Sequence, residues 1–453
     1  MPGKHKPIIP EQSSWREYQK KLQKDASNRN FYKKIIPLLI LALICSIAVY
    51  GAVKVLHKSF RSYFKNNTAL IAPPKPRLLG KKDIRKLLKE VNLVNMENQQ
   101  FDFTFGLESY QAQTSLDISL QNRLLKAMDR VNSRYIGIVA LDPDTGIVKI
   151  MASFDKTGHK ENQCVSNHFP AASIFKIITA AAAVEKCGYN ANSILKFNGY
   201  KHTLYKSQLK DKSNRYTNRV SFKNSFAQSI NPVFGKIGYL YLKKNILENY
   251  ARAFGFNDDL NFEIPVAPSH IQISEKPYNW AEIACGFNRQ TTISPLHGAM
   301  IAASVLNNGR LVEPTIIRQV INAKGKTIYQ SKTAIKGQAI DIKTAKIIDV
   351  LMQTTIKSGT GHKSFKGYKR DKVLSRLNIG GKAGSIYNKS HDAKFDRFVG
   401  FAGEKDGLGS LAIAVVVAHE KFIGKRAAQY ARLAIKHYFK TYFANNRSPV
   451  NPG

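Results

Sequence analysis

The run Phe169-Pro170-Ala171-Ala172-Ser173-Ile174-Phe175-Lys176, continued by Ile177-Ile178-Thr179-Ala180-Ala181-Ala182-Ala183-Val184-Glu185-Lys186, organises the rest of this chain. Pro170 ends whatever precedes it, and the Ile, Ala and Val run behind it is apolar on nearly every face. A helix without a polar face is a buried one. The reading places Ser173 in the first turn of a central helix, with Lys176 one turn on and on the same side. Backbone N–H groups and the positive end of the helix dipole lie close to a serine in that place. A lysine in so apolar a helix either reaches water or is buried with its pKa lowered. A neutral amine can then take the serine's proton. The same Ser-x-x-Lys spacing recurs at Ser62, Ser153, Ser193 and Ser207, but only Ser173 has a proline-led start and an apolar helix behind it.

The chain has 453 residues, 43% hydrophobic and 22% charged, enough for one large domain with accessories. Its formal net charge of +39 raises nucleic acid as a partner. No zinc-finger spacing, RNP-like aromatic motif or arginine-rich tail accompanies that charge, and the lysines are spread over the whole length. A basic surface facing anionic lipid or cell-wall polymer is the expectation, with no nucleic-acid partner.

Residues 35–53 carry no charge and are long enough to cross a bilayer. A polar, basic tail (residues 1–34) precedes them, which is too long for an ordinary cleaved signal peptide and points to a signal anchor. Lys54, Lys58 and Arg61 on the far side blunt the positive-inside signal. The four cysteines have no metal-ligand spacing and the histidines do not cluster, so no metal is expected. Cys164 and Cys187 bracket the Ser173 helix and either pair in an oxidising compartment or remain buried thiols.

Residues 54–113 are basic and mixed, with one short helical pattern at residues 82–91, and are expected to form a stalk or pedestal. A helix is expected over 120–131. Residues 135–141 and 147–152 are β-rich runs joined by the turn Asp142-Pro143-Asp144-Thr145-Gly146, a hairpin. Residues 198–224 are polar, Lys- and Asn-rich loops over the site. Residues 226–242 return to helical patterning around Ser229-Ile230-Asn231-Pro232, the chain's only Ser-x-Asn. Because Asn231 precedes a proline, the expectation is a turn between helices with both polar side chains facing a cleft. Further helices are expected over 294–306 and 343–356. Strands are expected over 378–386, 395–402 and 411–418, and an amphipathic helix over 426–443. Strands at both ends with helices between them indicate an α+β domain whose terminal segments complete a sheet begun by the hairpin.

In this order the pieces resemble the transpeptidase domain of penicillin-binding proteins, with its Ser-x-x-Lys, Ser-x-Asn and Lys-Thr-Gly set. The likeness covers residues 110–440 and includes Thr114–Gln121, the hairpin Ala140–Val148, and the segment from Thr292 to Gly309. Lys357-Ser358-Gly359-Thr360 is the nearer letter match to the third motif, yet it sits at a helix end, where Gly359 reads as a C-cap. The family needs the motif on a strand beside the cleft, which Lys382-Ala383-Gly384-Ser385 satisfies. Ala383 departs from the pattern, since it lacks the hydroxyl expected second in the motif. The remaining Ser385 hydroxyl is expected to leave carboxylate binding weakened rather than lost.

The resemblance implies an antiparallel sheet flanked by helices, of the penicillin-binding and serine β-lactamase type, behind one transmembrane helix. It implies a membrane-anchored D,D-transpeptidase that cross-links peptidoglycan stem peptides through an acyl-enzyme on Ser173. Lys176 is implied as base, Ser229 and Asn231 as relay and peptide contacts, and Lys382 as attractor of the terminal carboxylate. The N–H groups of Ser173 and Ser385, with Gly384 between the motif residues, make the oxyanion side. Penicillin-type β-lactams are implied as ligands, with no metal or cofactor.

About 60 residues separate the apolar segment from residue 114, too few for a glycosyltransferase module, so a compact class B-like enzyme with a separate glycan polymerase is expected. The implied division is tail (1–34), anchor (35–53), stalk (54–113), transpeptidase domain (114–445) and terminal tail (446–453). The implied place is the bacterial cytoplasmic membrane, single-pass, with the catalytic domain outside. The alternatives are a silent or penicillin-sensing scaffold of a cell-wall complex, and a class D-like serine β-lactamase.

Overall fold

The computed structural model describes residues 15–69, 78–158 and 161–446. It divides into two compact units, Met1–Pro76 and Arg77–Gly453. The described part of the first is one helix, α1 (Trp15–Ala69). Within it Ile35–Ser62 is long and apolar enough to cross a membrane. Leu38, Leu39, Leu43, Ile47 and Val53 of this stretch are all exposed. Of the expected tails, residues 1–14 and 447–453 lie outside the described residues.

The second unit opens with α2 (Lys81–Leu87), β1 (Gln100–Phe105) and β2 (Glu108–Thr114), followed by α3 (Ile118–Lys126), β3 (Ser133–Leu141) and β4 (Val148–Asp155). Next come α4 (Lys176–Cys187), β5 (Ile194–Phe197), β6 (Asn218–Ser221), α5 (Phe222–Ala227), α6 (Asn231–Lys236), α7 (Lys243–Ala253), α8 (Pro277–Cys285) and α9 (Pro295–Leu306). Short strands β7 (Arg310–Val312), β8 (Ile317–Asn322), β9 (Thr327–Gln330) and β10 (Ile335–Gln338) precede α10 (Ile342–Ser358). The chain closes with β11 (Leu377–Tyr387), β12 (Lys394–Glu404), β13 (Ser410–His419) and α11 (Ala427–Asn445).

A five-stranded antiparallel sheet in the order β11-β12-β13-β3-β4 carries the unit. The early hairpin and the last three strands thus complete one sheet, as the sequence pattern indicates. The central strand β13 (SLAIAVVVAH) is apolar from Leu411 to Ala418, with β-branched Ile413 and Val415–Val417, because both of its faces are covered. Alternate residues separate two cores. Val139, Val399, Phe401 and Ala414 face the helical side, whereas Ile138, Phe398, Ile413 and Val415 face α11. Helix α11 buries Ala427, Ala431, Ala434, Ile435, Phe439 and Phe443, a stripe at helical spacing. Helix α9 has almost no exposed residue and fills the opposite face.

Residues 100–114, all but the last of them expected within a stalk, form a hairpin whose second strand pairs with β8 in a four-stranded sheet, β1-β2-β8-β9. Residues 78–113 therefore pack with the rest of this unit. Lys81 reaches the Pro314 carbonyl at 2.9 Å, and Arg85 makes a two-point contact with Asp259 at 2.9 and 3.1 Å. Cys164 and Cys187 are both free thiols, so the pairing alternative is not what the fold uses. The buried Cys164 thiol donates to the Ala152 carbonyl at 3.2 Å and packs as a small apolar group.

Candidate active site

Ser173 lies one step earlier than the sequence suggests. It sits in a 3₁₀ turn, Ala172–Phe175, and Lys176 opens α4 behind it. The turn is tight because Ala172 takes a left-handed backbone conformation (φ +48). Burial of α4 brings the Lys176 amine back onto the turn. Its Nζ donates to Ser173 Oγ at 2.9 Å, to Asn231 Oδ1 at 2.8 Å and to the Cys285 carbonyl. Lys176 is wholly buried, and that desolvation lowers its pKa to about 8.

Ser229 and Asn231 come from the break between α5 and α6. Ser229 is left-handed (φ +56), whereas Asn231 is the first residue of α6. The expectation that both sit on a turn thus needs one correction: Pro232 falls in the first helical turn, where its missing N–H costs nothing, and so Asn231 is helical. The Asn231 side chain is held from two sides, by Lys176 and by its own Nδ2 donating to the His202 carbonyl at 3.0 Å. The 198–224 loops do reach the site, through Lys201 and His202.

Lys382 comes from the edge strand β11 and is buried. Its Nζ donates to Ser229 Oγ at 3.0 Å and to the Ala383 carbonyl at 2.7 Å. Burial, and then the neighbouring Lys176, push its pKa well below that of an ordinary lysine. Neither amine pairs with a carboxylate among the described residues. The rings of Phe234 and Phe226 lie 5.6 Å from Lys176 and Lys382 respectively. Gly384 allows the strand to close on the serine, since a Cβ there would stand 3.1 Å from the Ser173 nitrogen. Lys357, the alternative motif, ends α10 on the surface with Gln353 as its partner at 3.2 Å. Gly359 caps that helix in an extended conformation, and a Cβ there would lie 2.4 Å from the Ala227 carbonyl oxygen.

These groups open onto a cleft of about 640 Å³ that Ser173, Ser229, Asn231, Gly384 and Ser385 line. The cleft also contains residues that no motif announces. His202 lines it, with its pKa lowered by burial and by the two lysines. Arg397, wholly buried, donates to the carbonyls of Phe169, Pro170 and Ile293 at 3.1, 3.0 and 2.9 Å. It ties the peptide ahead of the serine turn to β12. Burial lowers the Arg397 pKa to about 9. No cluster of His, Cys, Asp and Glu able to hold a metal occurs among the described residues.

Chemically, the arrangement offers a hydroxyl beside a buried amine of lowered pKa, a second serine–lysine pair, and an open strand edge. A nucleophile can be deprotonated there and a peptide can lie along the edge.

Comparison with known proteins places the fold in a known family. Stage V sporulation protein D of Bacillus subtilis (strain 168) is 23% identical over 368 residues, covering 76% of this chain and 55% of the relative. Peptidoglycan D,D-transpeptidase PbpA of Mycolicibacterium smegmatis is 23% identical over 254 residues, covering 48% of this chain and 49% of the relative. The chain thus spans about half the length of the curated relatives it matches. Among solved structures, penicillin-binding protein A from M. tuberculosis, in a ceftriaxone acyl-enzyme complex, superposes with a TM-score of 0.57 at 20% identity, covering 72% of this chain and 79% of that one. The D,D-transpeptidase domain of a peptidoglycan glycosyltransferase from Eggerthella lenta gives 0.60 at 20% identity, covering 73% and 83%. The family described as the penicillin binding protein transpeptidase domain matches residues 136–436, which hold the five-stranded sheet except the first three residues of β3, together with Ser173, Lys176, Ser229, Asn231 and Lys382. Matched over more than half its length, the chain belongs to that family, in its class B-like branch.

Proposed function

We propose that this protein is a membrane-anchored D,D-transpeptidase that cross-links peptidoglycan stem peptides through an acyl-enzyme on Ser173. The observation that carries the reading is the Lys176 amine, 2.9 Å from Ser173 Oγ and buried without a carboxylate among the described residues. Ser173 Oγ attacks the penultimate D-Ala carbonyl and its proton passes to neutral Lys176. The oxyanion is held by the N–H groups of Ser173 and Ser385, an electrostatic contribution that is usually the largest in such sites. The C–N bond breaks and the departing D-Ala amine takes a proton through Ser229, which Lys382 holds. An amine from a neighbouring strand then attacks the ester, and Ser173 regains its proton as the C–O bond breaks. Water in place of that amine gives a carboxypeptidase, with the same residues in the same roles.

Ile35–Ser62 is the proposed anchor in the bacterial cytoplasmic membrane, with the Arg77–Gly453 unit outside it. A separate polymerase supplies the glycan. The test is mass spectrometry of the intact protein after exposure to benzylpenicillin. The wild type and the Ser153→Ala and Ser193→Ala variants should gain one adduct, and Ser173→Ala none. A persistent adduct in Ser173→Ala would falsify the nucleophile assignment. A wild type that never acylates would instead favour a silent scaffold, the reading that Ala383 supports.

A further inference from the structure

Side chains alternate along β11. Lys382 and Gly384 face the serine, while Ala383 and Ser385 face the α11 side of the same edge. Ala383 is the place where the family pattern supplies a second hydroxyl, so half of the expected carboxylate contact is missing. Lys382 does little to replace it, because it is buried, occupied by Ser229, and disfavoured as a cation beside Lys176.

The strand register brings Arg426 to the same end of the cleft as Ser385. Ser385 lies opposite Asp396 in the register of β11 and β12. The Asp396 carboxylate accepts the N–H of Ala427 at 3.0 Å, which plants the residue just before it, Arg426, beside that pair. Ala383, Ser385, Arg426 and Ala428 line the same cleft as Ser173. Asp396 is buried, bonded to that N–H and 3.7 Å from His419. Arg426 is exposed, and its guanidinium has no hydrogen-bond or ion-pair partner among the described residues. Of the other cations lining the cleft, Lys394 stands opposite Tyr387, two residues along β11 from Ser385, and lies over the Tyr387 ring at 5.2 Å. Arg289 donates its Nε to the Tyr387 carbonyl at 2.8 Å, and Arg397 is held by three carbonyls.

We propose that Arg426, with Ser385, forms the subsite for the carboxylate of the acylating ligand, supplying from the residue that caps the start of α11 the contact that Ala383 leaves open. The inference rests on the acyl-transfer reading for the identity of the ligand. A guanidinium presents two parallel N–H groups to a carboxylate, and such paired bonds are stronger than one from a neutral hydroxyl.

The test uses the full-length chain and a pair of ligands that differ only in the group at issue, benzylpenicillin and its methyl ester. Arg426→Ala should slow acylation by the acid about tenfold to a hundredfold, the range for a charge-assisted contact, and slow the ester by less than about threefold. Arg426→Lys should fall between wild type and Arg426→Ala. Ala383→Thr should speed acylation by the acid more in the Arg426→Ala background than in the wild type, because only there is the carboxylate short of a donor. Equal losses with acid and ester, or no loss with the acid, would overturn the proposal. Should the wild type acylate with neither ligand, the acyl-transfer reading fails, and binding decides the subsite separately. In Ser173→Ala, NMR titration with an N-acylated D-Ala-D-Ala dipeptide and its C-terminal amide should show a preference for the acid. That preference should disappear when Arg426→Ala is added, and its survival would count against Arg426.

Discussion

Lys176 and Lys382 set the acid–base behaviour of the cleft, since burial leaves little solvent to support two charges. A charged Lys176 lowers the affinity of Lys382 for a proton, and that effect is lifted when Lys176 loses its own. With its pKa near about 8, Lys176 is a minority base at neutral pH and a majority base one unit above that value. The neutral amine is the active form and it gains population as pH rises. Acylation of the free enzyme by benzylpenicillin should therefore climb about tenfold per pH unit below the Lys176 pKa and level off above it. A fluorescent penicillin followed over time from pH 6 to 9 measures this. A profile that is flat across that range, or that falls with pH, would remove Lys176 as the base. Arg397 belongs to the same scale. Its contacts with the Phe169 and Pro170 carbonyls fix the peptide ahead of Ser173, and its contact with the Ile293 carbonyl ties that peptide to the segment before α9, without touching the reacting atoms, so it is a positioning residue.

At the scale of elements, the serine turn is held from below by the end of α8. Gly286 terminates that helix in a left-handed conformation (φ +70), and a Cβ there would lie 1.9 Å from the Ala172 carbonyl oxygen. Alanine at that position meets both the backbone penalty and a direct clash with the turn. Gly286→Ala is expected to destabilise the protein by roughly 1–3 kcal/mol and to reduce penicillin labelling of the folded fraction. Denaturant melts together with adduct yield would measure it, and unchanged values for both would show that α8 does not support the turn. The elements themselves were largely legible where the signal is local. Apolar runs at α4 and α9, the hairpin turn at Asp142–Gly146, and three β-rich runs near the C-terminus each carry their period within a few residues. The β1–β2 hairpin escaped because its strands are mostly exposed, with Phe103 alone buried in β1. Its partner β8 lies some two hundred residues away in sequence. The same distinction holds at the site. Ser173, Lys176, Ser229, Asn231 and Lys382 belong to short motifs, whereas His202, Arg397 and Arg426 reach the cleft only through the packing of distant segments. Asn231 was misplaced by one element because a proline at the next position is compatible with a helix start as well as a turn.

At the scale of the whole molecule, the helical side and the four-stranded sheet are joined through one buried carboxylate. Glu263, in the segment between α7 and α8, is fully buried. It accepts hydrogen bonds from the Thr315 hydroxyl, from the Tyr329 hydroxyl at 2.8 Å and from the Ile316 N–H at 3.1 Å. All three partners donate, so the position needs acceptors on both of its oxygens. Glutamine keeps the shape but turns one oxygen into an amide nitrogen. With its N–H₂ toward Ile316 the amide meets a backbone donor, and with its N–H₂ toward Thr315 and Tyr329 it can donate to the hydroxyl oxygens, but their O–H groups then lose the acceptor they have in Glu263. Glu263→Gln should therefore cost about 1–3 kcal/mol of stability, the range for leaving a buried polar group unpaired. Because Glu263 does not line the cleft, the acylation rate of the folded protein should stay within about twofold of the wild type. Urea unfolding read alongside penicillin acylation separates the two effects. An unchanged unfolding midpoint would mean that Tyr329 and Thr315 find other acceptors, and the sheet would then be held to the helical side by Lys81, Arg85 and apolar packing instead.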